Sequence, residues 1–192
     1  MGTFDRALFR AINGWPDALD PVLTPFSVAH DTLWFRATVL LIIVAMVWRG
    51  GKFRRTAILS LVAFPLADYL CNVIKSLVPQ KRPYQEMVHV ISRVGLSESA
   101  GTASSHAANL AAIATVMTLG LGWRWGAPWI VIALLVGVSR VYVGAHYPWQ
   151  VLVGWTVGIL MGLAVNGLVQ GFRRRKDRPT STAIPESNLS GS

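Results

Sequence analysis

Apolar residues run in five blocks along the chain, and most of the polar and charged residues fall between them. A helix that crosses the hydrocarbon of a bilayer needs about 20 mostly apolar residues. Blocks at about 33–48, 56–78, 105–121, 125–143 and 148–169 meet or approach that length. Small residues recur in the last three. Gly154, Gly158 and Gly162 stand four apart, a spacing that lets helices approach closely. Ahead of the blocks, Phe4, Leu8, Phe9 and Ile12 line one helical face, with Asp5, Arg6 and Arg10 off it. That pattern predicts an amphipathic helix lying in the membrane interface. Residues 16–31 are apolar but broken by Asp17, Asp20, Pro21, Pro25, His30 and Asp31, which suits a second interfacial or re-entrant piece. After about Gly171 the chain turns basic and then Ser/Thr/Pro-rich, and disorder is expected there. The expected fold is all-α: a polytopic membrane helical bundle of about five transmembrane helices plus the N-terminal interfacial helix. Its expected divisions are an interfacial segment 1–31, a membrane domain 32–171 and a basic cytoplasmic tail 172–192.

Composition agrees with the pattern. Only 14% of the 192 residues are charged and mean hydropathy is +0.45, against about 25% charged in soluble domains. The net charge of +9 would suit nucleic acid if it formed one patch. Much of it instead sits in Arg49-Gly-Gly-Lys-Phe-Arg-Arg55 and Arg173-Arg-Arg-Lys176, at the ends of apolar runs. Clusters so placed set topology, and the positive-inside rule puts both in the cytoplasm. Five spans satisfy this, and they send the 79–104 loop and the 144–147 turn outward. The single cysteine, Cys71, excludes a disulfide framework within the chain. The N-terminus lacks the apolar core of a cleavable signal peptide.

This topology assembles a constellation. Lys75 ends the second span, and Lys81 and Arg82 follow it. Ser104, Ser105 and His106 open the third. Ser139 and Arg140 close the fourth, and His146 lies in the turn after it. Cations and histidines from distant segments share the outer layer with no acidic cluster beside them, so the missing partner is an anion. Arg82 and Arg140 offer forked donors to phosphate oxygens and Lys75 a compact charge. Ser104 and the first N–H groups of the third helix add donors. One imidazole is a competent nucleophile toward phosphorus, and the other a general acid. The chain shows no metal-ligand spacing, and no metal or other cofactor is expected. Taken singly, each residue has a plainer reading. Lys81, Arg49 and Arg124 read as snorkelling anchors, Ser-Ser-His as a helix cap, and His30 and His89 as residues without a supporting neighbourhood. The combination on one membrane face is what those readings leave unexplained.

These residues resemble a known pattern. Lys75-Ser-Leu-Val-Pro-Gln-Lys-Arg82-Pro83, Ala103-Ser104-Ser105-His106 and Ser139-Arg140-Val-Tyr-Val-Gly-Ala-His146 are similar, in order, to the three signatures of the type 2 phosphatidic acid phosphatase superfamily. The resemblance covers about residues 70–150. It implies a helical-bundle core, metal-independent phosphoester hydrolysis and a phosphohistidine intermediate. It makes His146 the nucleophile and His106 the leaving-group acid. Lys75, Arg82, Ser104 and Arg140 would hold phosphate, with Ser105 giving its backbone N–H. Two departures from the pattern stand out, one in the second signature and one beyond the third. The second signature has Ala103 and Ser105 where the family has Pro and Gly. Four residues after the nucleophile stands Gln150, where the family has Asp. An amide carbonyl can orient an imidazole but brings no charge. In a serine-protease triad the matching loss costs about four orders of magnitude. Asp68 shares a helical face with Asn72 and Lys75 and is expected to support Lys75 or Arg140 from behind. Glu86 and Glu98 are weaker substitutes.

The expected function is a lipid phosphatase of the cytoplasmic membrane, its site facing outward and the 84–103 loop, with His89, Arg93 and Glu98, covering the headgroup. Undecaprenyl diphosphate is the first candidate substrate. Phosphatidylglycerophosphate, phosphatidate and lipid A phosphates come next. A phosphotransferase and a non-catalytic phospholipid-binding protein are the alternatives, the latter favoured by Gln150. The partners expected are the lipid phosphate and the bilayer, with no nucleic acid; the sequence fixes no oligomeric state.

Overall fold

A computed structural model of the protein describes residues 2–29 and 32–176. Among them the elements are helical throughout: α1 (Thr3–Asn13), a 3₁₀ turn (Asp17–Leu19), α2 (Asp20–Val28), α3 (Leu33–Arg49), α4 (Gly51–Leu77), the short α5 (Pro83–Glu86), α6 (Ser105–Leu121), α7 (Trp123–Tyr142) and α8 (Pro148–Lys176). Of the expected tail, α8 takes the first residues, and 177–192 lie outside the described residues, as do His30 and Asp31. Among the described residues three helices are each long and apolar enough to cross a membrane: α4 with 27 residues, α7 with 20, and α8 with 25 as far as Phe172. The other two expected spans, α3 and α6, have 17 residues each. By helical rise that is about 26 Å, somewhat less than the hydrocarbon thickness of about 30 Å.

The expected 49–55 loop is not a loop. Gly50 alone separates α3 from α4, and Gly50 and Gly51 have φ of +71° and +51°. Two residues without a Cβ can reverse the chain at positive φ without a steric clash, so Lys52, Arg54 and Arg55 stand at the start of α4 instead of in a linker.

The core sits between α4, α6 and α8. Ala63, Ala67 and Cys71 of α4 meet Ala108, Ala112 and Val116 of α6 at four-residue spacing, with Val157 and Val165 from α8. The glycines of α8 do what their spacing suggested. A Cβ on Gly154 would lie 2.4 Å from the Ser104 carbonyl oxygen, and one on Gly158 would lie 2.1 Å from that of Ala108. The α8 backbone therefore presses against the start of α6.

Helix α7 packs on the other side of α6, and α1 and α2 lie against α7. Ser139 is spent on this packing: its hydroxyl donates to the Leu23 carbonyl at 2.7 Å and sits 2.6 Å from the Ser27 hydroxyl. Phe9 of α1 is buried in a cluster with Val141, Tyr147 and Val151, while Phe4 points outward. The amphipathic helix thus rests much of its apolar face on protein. Arg93 differs from expectation as well. It donates to the carbonyls of Asn13 and Tyr142, both at 3.0 Å, and pairs with Asp17 and Asp20 at 2.7 and 2.9 Å. Its guanidinium pins the 84–103 loop to the N-terminal segment, its charge met by two aspartates instead of a headgroup.

Candidate active site

The C-terminal ends of α4 and α7 and the N-terminal ends of α6 and α8 share one end of the bundle. Backbone bonds draw the connecting segments into it. Gly101 N–H donates to the Gln80 carbonyl at 2.7 Å, and Ser104 N–H donates to the Gln150 carbonyl at 3.0 Å. The loop before α6 therefore runs between the segment carrying Arg82 and the first turn of α8. The N–H groups of Ala145 and His146 both donate to the Arg140 carbonyl at 3.1 Å, which folds the turn after α7 back over its own end.

His146 is buried, and its two ring nitrogens face different partners. Nδ1 lies 3.2 Å from the Gly101 carbonyl oxygen and 3.2 Å from Gln150 Oε1. Both are acceptors, so Nδ1 carries the proton and Nε2 keeps its lone pair. Nε2 faces Arg82 Nη1 at 3.3 Å. Gln150 has one consistent orientation. Its amide nitrogen donates to the Lys81 carbonyl at 3.0 Å, and its oxygen accepts from Tyr147 N–H at 3.1 Å. The residue replacing a carboxylate thus orients the imidazole through a neutral carbonyl.

The cations are held around that nitrogen. Arg82 Nε and Nη2 donate to the carbonyl and hydroxyl oxygens of Ser99, both at 2.8 Å, and Nη1 reaches the Ala145 carbonyl at 3.2 Å. Lys75 Nζ donates to Ser105 Oγ at 2.9 Å and to Asn72 Oδ1 at 3.3 Å, and Asn72 donates in turn to Asp68 at 3.1 Å. Asp68 therefore supports Lys75, through an amide, and not Arg140. Arg140 donates to the Ser27 carbonyl at 3.4 Å, while its Nε is buried with no acceptor among the described residues. A buried donor left unpaired costs about 1–3 kcal/mol, more when charged, and an anion would remove that cost. Ser104 caps α6, accepting from Ala107 N–H at 3.4 Å, and half-buried His106 stands in the first turn of α6.

Electrostatics follows from the geometry. Burial pushes His146 well below its ordinary value of 6.5; Arg82 and Arg140 add to this, and the Gln150 bond only partly opposes it. The imidazole is neutral at pH 7 and able to attack. Tyr147 is pushed up to about 12 by burial and by Glu86, so it stays a donor and bonds Glu86 at 3.2 Å. Among the described residues no group of three His, Cys, Asp or Glu side chains could hold a metal ion.

The structure brings His146, Gln150, Arg82 and the start of α6 together, with Lys75 on Ser105. Sequence reasoning missed Ser99 and the Gly101 carbonyl, and it placed Asn72 without giving it the bridging role it has here. The first two act through backbone or loop geometry that no spacing encodes, whereas Asn72 stood on the noted Asp68–Lys75 face. Glu86 bonds Tyr147 instead of the imidazole, and Glu98 is exposed.

Residues 56–174 match the model of a family described as the PAP2 superfamily. The chain is 30% identical over 162 residues to an undecaprenyl-diphosphatase of Sulfolobus acidocaldarius, covering 81% of this chain and 73% of that one. It is 29% identical over 150 residues to the bacitracin transport permease protein BcrC of Bacillus licheniformis, covering 77% and 70%. Its fold matches the crystal structure of a transmembrane PAP2-type phosphatidylglycerolphosphate phosphatase from Bacillus subtilis with a TM-score of 0.71 at 25% identity, covering 90% of this chain and 87% of that one.

Proposed function

From the premise that this chain belongs to the PAP2 superfamily and is a multi-pass membrane lipid phosphatase, we propose that it works through a phosphohistidine on His146, with a lipid diphosphate as its first substrate. Lys75, Arg82 and Arg140 take the phosphate oxygens, with Ser104 and the opening N–H groups of α6 completing the cradle. His146 Nε2 attacks phosphorus and the bond to the leaving oxygen breaks. His106 gives that oxygen a proton. Water, deprotonated by the same His106, then splits the P–N bond, releasing phosphate and restoring neutral His146. Charge on the transferring group is met by fixed cations.

The observation carrying this reading is the state of His146: Nδ1–H lies between two carbonyls, and the Nε2 lone pair is turned toward a buried arginine. The similarity to an undecaprenyl-diphosphatase supports a polyprenyl diphosphate as first choice. Phosphatidylglycerophosphate follows on the structural similarity, and phosphatidate and lipid A phosphate after it. In this reading α3 and α6 also cross the bilayer, making five spans. The site then faces outward, the α3–α4 junction and C-terminus lie in the cytoplasm, and α1 lies in the outer interface. The test is phosphate release from each lipid by detergent-purified protein with EDTA present. Release is expected to be fastest from the lipid diphosphate and unaffected by EDTA. Loss of activity on chelation would overturn the metal-free mechanism, and a faster monophosphate would overturn the substrate choice.

A further inference from the structure

The nucleophile's segment runs straight into a helix that cannot cap itself. Helix α8 begins at Pro148, so Tyr147 is its flanking residue, and a tyrosine has no short side-chain acceptor for the first N–H groups of the helix. Half of a capping box is present nonetheless. Gln150, at the third helical position, accepts from Tyr147 N–H at 3.1 Å, as a Gln in such a box does. The other half comes from the far end of the chain. Asp5 Oδ1 on α1 accepts from Trp149 N–H at 2.9 Å, across 144 residues of sequence. A carboxylate there also meets the positive end of the α8 dipole.

The rest of α1 reinforces this contact. Phe9 packs edge-on against Tyr147 with ring centroids 5.3 Å apart. Tyr147 bonds Glu86, and Arg6 lies 3.8 Å from the same carboxylate. The first turn of α8 is thus held from outside by α1 and from inside by Gln150. The same Gln150 oxygen accepts the Nδ1 proton of His146 at 3.2 Å. A shift of that turn would move the acceptor that orients the nucleophile.

We propose that Asp5 is a positioning residue for His146: it caps α8 from another element and so fixes the Gln150 carbonyl against the imidazole. The proposal rests on the phosphohistidine reading above. It also gives the N-terminal helix a part in catalysis, beyond that of an interfacial anchor.

The experiment compares Asp5→Ala, Asp5→Asn, Arg10→Gln and His146→Asn, with rates normalised to folded protein by near-UV circular dichroism. Asp5→Ala is expected to lower kcat about tenfold with KM within about twofold, the signature of a misplaced group. Asp5→Asn should recover most of the loss, since an amide oxygen caps a helix nearly as well. Arg10→Gln, on the same helix, should match the wild type. A purely structural role would lower the folded yield and leave kcat per folded molecule alone. Asp5→Ala with wild-type kcat, or Asp5→Asn as poor as Asp5→Ala, overturns the proposal. His146→Asn separates the two levels: if it stays active, the phosphohistidine reading fails whatever Asp5 does. If it is dead while Asp5→Ala is normal, only the positioning role fails.

Discussion

At the scale of single residues, the pairing of Gln150 with His146 distinguishes this site. The imidazole is oriented by two neutral carbonyls, from Gly101 and Gln150, where the family pattern supplies a carboxylate. Orientation is thereby kept, and the charge that would stabilise an imidazolium is not. Gln150→Asp restores that charge and is expected to raise kcat, even though it forgoes the amide bond to the Lys81 carbonyl. The pH profile gives the sign. His146 must be neutral to attack, and its proton affinity is held well below 6.5 by burial and by Arg82 and Arg140. The acid limb of kcat/KM should therefore lie below pH 6.5, with activity lost as pH falls through it. In Gln150→Asp a carboxylate beside Nδ1 raises the affinity, so the limb should move to higher pH. A limb that stays in place would show that residue 150 does not govern the ring. The departure at 150 was visible in the sequence. The compensating carbonyl of Gly101 was not, because a backbone acceptor leaves no trace in residue identity.

At the scale of elements, long apolar runs were readable and their junctions were not. The third block coincides with α6, since Ser104 supplies a local cap just before Ser105. The 49–55 segment became helix because Gly50 and Gly51 turn the chain within two residues, and charge count says nothing about turn length. The docking of α1 was hidden for a different reason: its decisive bonds join Asp5 to Trp149 and Asn13 to Tyr142, far apart in sequence. The glycine stripe of α8 was legible as a pattern and is explained by carbonyl contacts. Gly154→Ala would drive a methyl group toward the Ser104 carbonyl, 2.4 Å away, at the proposed phosphate cradle. It is expected to lower the melting temperature in detergent and raise KM together. Gly167→Ala meets nothing within 4 Å and should be neutral or slightly stabilising. Equal behaviour of the two variants would contradict the packing account.

For the whole molecule, the alternating directions of α4, α6, α7 and α8 gather residues 75–82, 101–106, 140–146 and 150 at one end of the bundle. In the proposed orientation that end faces outward. A cysteine at position 90, in the only thiol background, buried Cys71, should react with an impermeant maleimide from outside intact cells; labelling only after lysis would reverse the assignment. In the proposed mechanism the assembled layer lets a chain without a carboxylate beside His146 bind and transfer a phosphoryl group. The most direct test is to quench the enzyme during turnover of a lipid diphosphate, keep it alkaline, and map phosphorylated peptides by mass spectrometry. The account predicts a phosphoryl group on His146, absent in His146→Asn, which should also release no phosphate. Steady turnover by His146→Asn, or a phosphoryl group found on another residue instead, would contradict it.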